Sequence, residues 1–148
     1  MPKLYLEDLQ VGHVHTTGAH ALDAAQIIAF AQQFDPQPFH LDDTAAQGSM
    51  FKSLAASGWH TAALSMRLLV DSGLQLAGGI IGASGELNWP QPTRPTDILR
   101  VEQEILEIIP SRSKPDRGMV LIHNKTINQR DEVLQSFTVR VLAIRRPK

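Results

Sequence analysis

The 148-residue sequence contains no cysteine. That excludes disulfides, thiolate metal sites and a cysteine nucleophile together, and it fits a reducing compartment. A marked charge imbalance is also lacking: the formal net charge is -1, which gives no reason to expect nucleic acid or an acidic membrane surface as a partner. There is no long apolar run, and the most apolar helical stretch, residues 57–73, is too short and too charged to cross a bilayer. The first residues, MPKLYLEDLQVG, carry acids where a secretory segment would be apolar, so no signal peptide is expected. No internal repeat or low-complexity tract is evident, and the glycine-rich GGIIGASG lacks the spacing and the Lys-Ser/Thr pair of a phosphate-binding loop. What is present is ordinary for a globular chain, 43% hydrophobic and 20% charged, with enough length for one domain and a substantial core. The expectation is a cytoplasmic, single-domain enzyme or binding protein.

The chain is organised around SGWHTAALSMRLLVDSG, Ser57 to Gly73. Trp59, Ala62, Ala63, Met66, Leu69 and Val70 recur at helical spacing, and Leu64 and Leu68 widen the apolar surface. The spacing predicts a helix covered on most sides, with His60, Arg67 and Asp71 together on its remaining face. Ser57 suits the N-cap, and the small residues Ala55, Ala56 and Gly58 let another group approach the first turn. Before it, residues 11–17 read as a strand and Ala24 to Gln33 as an amphipathic helix begun by Asp23. Pro36 and Pro38 then predict a fixed, irregular loop through residues 34–51, with a short helix near Asp43 ended by Gly48. After Gly73 come four strand candidates, 83–89, 99–109, 119–128 and 133–144. In the second, Val101, Gln103, Ile105, Glu107 and Ile109 are expected to share one face. The order predicts an α+β fold in which about five antiparallel strands wrap a long central helix, the hotdog arrangement, with a second copy covering what one layer leaves exposed.

Asp35 and His40, with four residues between them on the proline-stiffened segment, are the sharpest chemical pair. A carboxylate beside a neutral imidazole can take a proton from water or orient it. A helix start at Ser57–Gly58 offers free N–H groups that can hold a negative or polarised oxygen. The same Asp and His also suit a hydrogen bond that merely ties down a loop. His60 fits either a pocket wall or a packed interface. Arg112, Lys114 and Arg117 fit either a solvated turn or a phosphate contact. His13, His15 and His20 lie close together but lack an accompanying acidic-ligand pattern, so no metal is expected.

FDPQPFHL, Phe34 to Leu41, resembles the hydratase motif of the MaoC-like dehydratases and R-specific enoyl-CoA hydratases. AASGWHTAAL, Ala55 to Leu64, resembles the start of that family's hotdog helix, and ELNWPQPTRPTD, SRSKPDRG and INQRDEV are similar to later segments. The resemblance runs from about Phe30 to Arg146. Two departures stand out: Ser57 occupies the place where the family usually has His, and Pro36-Gln37 replaces the more common Phe-Asn. The resemblance implies one MaoC-like hotdog domain over residues 1–148, forming a homodimer. It implies reversible hydration of a trans-2-enoyl thioester, or dehydration of the 3-hydroxyacyl thioester, without a metal or redox cofactor. Coenzyme A would belong to the substrate, with acyl carrier protein as the alternative carrier. Asp35 and His40 match the catalytic pair, and Gly58 the glycine whose N–H holds the thioester carbonyl. Phe39, Ser57, Trp59 and His60 are then expected around the pocket, and Arg112, Lys114 and Arg117 at the coenzyme A phosphates. An acyl-CoA thioesterase and a non-catalytic acyl-thioester binder are the competing readings.

Overall fold

The computed structural model describes residues 2–148. After a 3-10 turn at Leu6–Asp8, β1 (Val14–Thr16) and β2 (His20–Ala21) lead into α1 (Ala24–Phe34), α2 (Pro38–Leu41), α3 (Asp43–Gln47) and α4 (Gly58–Ser72). Four longer strands follow: β3 (Ile81–Asn88), β4 (Ile98–Pro110), β5 (Arg117–Ile127) and β6 (Val133–Ile144). The fold is α+β: an antiparallel sheet in the order β1-β4-β5-β6-β3, with β2 also on β4, and several helices. No helix among the described residues is long and apolar enough to cross a membrane.

Local chemistry sets the helix boundaries. The Asp23 carboxylate accepts the Gln26 N–H at the start of α1, and the Ser57 hydroxyl accepts the Trp59 N–H at the start of α4. Such caps each contribute about 1 kcal/mol. Gly48 follows α3 and Gly73 follows α4. The stretch expected to be irregular contains a helical turn: Pro38 occupies the first turn of α2, where its missing N–H costs no hydrogen bond.

Leu68 and Leu69 of α4 pack against Leu99, Val101 and Leu134 of the sheet. Toward its start the buried face of α4 is hydroxylic. The Thr61 and Thr93 side chains share a hydrogen bond of 2.8 Å, and Ser65 meets Thr126 at 2.6 Å. Leu22 and Ile27 join Leu54 and Ala56 in a second cluster. At the other end of the sheet, Leu6, Leu9, Leu74 and Leu76 cover Ile105, Val120 and Val141.

Two expectations about faces are corrected. Within one chain α4 is not covered on most sides, since Trp59, Met66 and Val70 are exposed. The polar grouping also breaks up: His60 is buried, whereas Arg67 and Asp71 form an exposed pair. In β4 the alternation holds from Leu99 to Ile105, then Leu106 bulges out of register between Ile105↔Ile122 and Glu107↔Leu121. A bulge exchanges the two faces beyond it, so Ile108, rather than Glu107 or Ile109, packs on the core.

Candidate active site

Asp35 ends α1. Its N–H still donates to the Ala31 carbonyl, but its backbone has left the helix at φ -152, ψ 67. The following proline disfavours the helical conformation there. The reversal through Pro36 brings the Gln37 amide back onto Asp35 Oδ1 at 2.6 Å. Pro38 then begins α2, which presents His40 with its Nε2 3.4 Å from Asp35 Oδ2.

His40 is buried and held on several sides. Its Nδ1 lies 2.6 Å from the Ala55 carbonyl oxygen. A carbonyl can only accept, so Nδ1 carries the hydrogen, and in the neutral ring Nε2 has a free lone pair directed toward Asp35. Phe39 packs edge-on against the ring, and Phe51 closes another side. The segment carrying these groups is clamped by Arg94, whose guanidinium donates to the carbonyls of Phe51, Ser53 and Leu54.

Asp35 has a divided electrostatic environment. Burial pushes its carboxyl group up, but hydrogen bonds from Ser57 and Gln37, with the neighbouring His40, outweigh that effect and hold it below the usual carboxylate range. Asp35 is therefore an anion at neutral pH. The 3.4 Å gap between Oδ2 and Nε2 is long for a direct hydrogen bond. A water donating to both acceptors has its oxygen lone pairs free for attack.

The start of α4 supplies the complementary charge. The Trp59 N–H is taken by the Ser57 hydroxyl, and the His60 and Thr61 N–H groups by the Ser57 carbonyl. The Gly58 N–H has no protein acceptor among the described residues. Gly58 lies beneath the Trp89 indole, and a Cβ there would stand 2.7 Å from Trp89 Cε2. The indole is itself fixed by its Nε1, which donates to Gln135 at 2.9 Å, and by edge-to-face contact with Trp59.

Asp35, His40, Gly58 and Trp59 line one cavity of about 330 Å³, together with Phe51, Thr61 and Trp89 to Thr93. A second, more apolar cavity of about 540 Å³ adjoins it across Trp59, between α4 and strands β3 and β6. Other residues singled out from sequence lie elsewhere. Phe39 stands behind His40 rather than on the wall, and Ser57 is fully buried under Asp35. His60 turns away and stacks on Phe30 at 4.5 Å. Burial, reinforced by His20, lowers its affinity for a proton, and its Nδ1 has no partner among the described residues. Arg112, Lys114 and Arg117 occupy the β4–β5 turn region, beyond the end of β4 remote from Asp97 and the cavity. The 13 residues of β4 cover roughly 40 Å at about 3.3 Å per residue, and Arg117 is already paired with Asp116. One chain therefore does not bring the basic patch to the acid–base pair. Conversely, Gln37, Phe51, Thr61, Thr93 and Trp89 were not read as parts of the site from sequence. For Gln37 the available signal was its place between two prolines, next to the acid. No cluster of three or more potential metal ligands occurs among the described residues.

Residues 9–125 match the family model described as MaoC like domain. A crystal structure of a MaoC-like dehydratase from Rhodospirillum rubrum aligns with a TM-score of 0.96 at 59% identity, over 98% of this chain and 99% of that one. A 3-hydroxybutyryl-CoA dehydratase of Methylorubrum extorquens is 34% identical over 113 residues, 75% of this chain and 69% of that protein. The uncharacterized protein YdeM of Bacillus subtilis is 31% identical over 129 residues, 85% of this chain and 89% of that protein. With a family model matched over residues 9–125 and a fold shared over nearly its whole length, the chain belongs to the MaoC-like domain family.

Proposed function

We propose that this protein is a lyase that reversibly hydrates a trans-2-enoyl thioester to the 3-hydroxyacyl thioester, with coenzyme A as the carrier and the R product as the stereochemical outcome. The observation that carries the reading is the convergence of Asp35 Oδ2, His40 Nε2 and the unpaired Gly58 N–H around one cavity. The dehydratase names of the Methylorubrum and Rhodospirillum relatives support it.

In hydration, a water held between Asp35 and His40 forms the bond to C3. Its proton passes to the pair, and the electrons of the C2=C3 bond move toward C2 and the thioester oxygen. The Gly58 N–H and the end of the α4 dipole stabilise that enolate-like charge. C2 then takes a proton from the pair, which returns to its starting state. Dehydration runs the same steps backwards: the pair removes the C2 proton and protonates the departing hydroxyl. Trp59 and Trp89 wall the acyl group.

The same reading takes residues 1–148 as one hotdog domain whose sheet wraps α4, located in the cytoplasm and paired as a homodimer. The exposed edge strand β3 and the exposed α4 residues Trp59, Met66 and Val70 support the pairing, because a second copy would satisfy the strand edge and cover the apolar face together.

The test is a panel of enoyl-CoA and 3-hydroxyacyl-CoA substrates, following alkene absorbance and free thiol separately. Loss of alkene without thiol release is expected. Thiol release would make the protein a thioesterase, and binding without either change would make it an acyl-thioester binder.

A further inference from the structure

Ser57 sits where three features of the site meet. Its side chain is fully buried, and its hydroxyl makes two contacts of opposite sense. It donates to Asp35 Oδ2 at 2.7 Å and accepts the Trp59 N–H at 3.2 Å. Oδ2 is also the carboxylate oxygen closest to His40, and the residue after Ser57 carries the unpaired N–H at the cavity. The other carboxylate oxygen is held by Gln37. One hydroxyl therefore ties the acid of α1 to the first turn of α4.

We propose that Ser57 is a positioning residue that sets the carboxylate of Asp35 in register with the α4 N-terminus, so that proton transfer and oxyanion binding act on the same substrate. The proposal deepens the hydratase reading and rests on it for its catalytic consequence. A hydroxyl suits this place because it can donate to the anion while accepting from the helix N–H, so that neither group is left unpaired. A methyl group can do neither. Removing the hydroxyl has two consequences. Asp35 Oδ2 loses a donor, which makes the carboxylate easier to protonate. The side chain also gains freedom to rotate, and misplacement of a reacting group lowers turnover more than affinity. Among the described residues His40 on α2 is the one titratable group acting on Asp35; α4 faces it with Ser57, and the segment after α1 with Gln37, neither of which is charged.

The experiment pairs a direct measurement on Asp35 with kinetics. Carboxyl-carbon NMR titration of the full chain reports the Asp35 protonation midpoint without requiring turnover. Ser57→Ala is expected to move that midpoint upward and to lower kcat roughly ten- to a hundredfold with little change in KM. Ser57→Gly removes the same hydroxyl while keeping an acceptable helix cap, and gives the same result if the alanine variant fails to fold. A double-mutant cycle then separates positioning from general damage. In an Asp35→Asn background, the loss of kcat from Ser57→Gly is expected to shrink to less than threefold. An unchanged Asp35 midpoint in a folded variant overturns the proposal, as does a Ser57 effect that persists in full without the Asp35 carboxylate. A wild-type protein inactive on the whole substrate panel counts instead against the hydratase reading, because the titration still decides whether Ser57 holds Asp35.

Discussion

The ring of His40 is tied to the backbone of Ala55 by a 2.6 Å hydrogen bond from Nδ1, and that contact decides which nitrogen faces the chemistry. Nitrogen-15 NMR is expected to find the proton of the neutral ring on Nδ1. On the proposed mechanism, His40→Ala removes a proton acceptor and Asp35→Asn the anion, and each is expected to lower hydration by about 10²–10⁴-fold while circular dichroism shows a folded chain. Near-wild-type turnover in either folded variant would remove that residue from the mechanism.

Gly58→Ala tests the closeness of the helix start to the indole above it. The added methyl would meet the Trp89 ring at 2.7–3.0 Å, a clash between two rigid parts of the site. The ring must shift, which strains its hydrogen bond to Gln135. A shift in tryptophan fluorescence together with a loss of turnover of at least tenfold is expected. Full activity with an unchanged spectrum would show that the indole has room to yield.

His60 offers a prediction about acid stability. Burial lowers its folded-state proton affinity below the ordinary histidine value, so the unfolded chain takes up the proton first as pH falls. The unfolded state then binds more protons than the native state, and stability drops below about pH 6.5. His60→Phe preserves a ring against Phe30 and removes the unpaired Nδ1. It is expected to raise stability by about 1 kcal/mol at neutral pH and to flatten the decline of Tm between pH 7 and pH 5. An unchanged decline would locate the acid sensitivity in another group.

The exposed face of α4 gives a test of assembly. Met66→Asp places a charge in the apolar patch beside Trp59 and Val70 without touching the buried Thr61–Ser65 face. Light scattering is expected to find a dimer for the wild type and a shift toward monomer for the variant. A wild-type monomer at micromolar concentration would reject the pairing.

The sequence made some of this visible for physical reasons that can be named. The ends of α1 and α4 were legible because Asp23 and Ser57 bond amides only two or three residues away. The α+β order followed from periodicity, and the two prolines marked the segment that brings Asp35 and His40 to 3.4 Å. The faces of β4 were not legible past Ile105, because the bulge at Leu106 arises in pairing with β5 rather than in β4 itself. The apolar spacing of α4 does not separate Leu68 and Leu69, which pack on the sheet, from Trp59, Met66 and Val70, which one chain leaves open. The bond from Ser57 to Asp35 joins residues 22 apart, and no local pattern announces it. The same is true of Trp89 above Gly58. The basic turn looked suited to phosphates by composition, but strand length carries it away from the cavity within one chain.

The hydroxyl pairs beneath α4 bear on the rotational setting of that helix. Leucines against a sheet tolerate several angles of rotation about the helix axis, because apolar contact has little directional preference. Thr61 against Thr93 and Ser65 against Thr126 do not, because a turn of a few tens of degrees would leave the hydroxyls of Thr61, Thr93 and Thr126 unpaired, Ser65 alone keeping its bond to the Thr61 carbonyl. These two pairs therefore act as an angular key for α4. They hold the first turn of α4, with Gly58, at a fixed angle in the cavity wall, and a change at Thr93 or Thr126 would disturb that setting without touching Asp35 or His40.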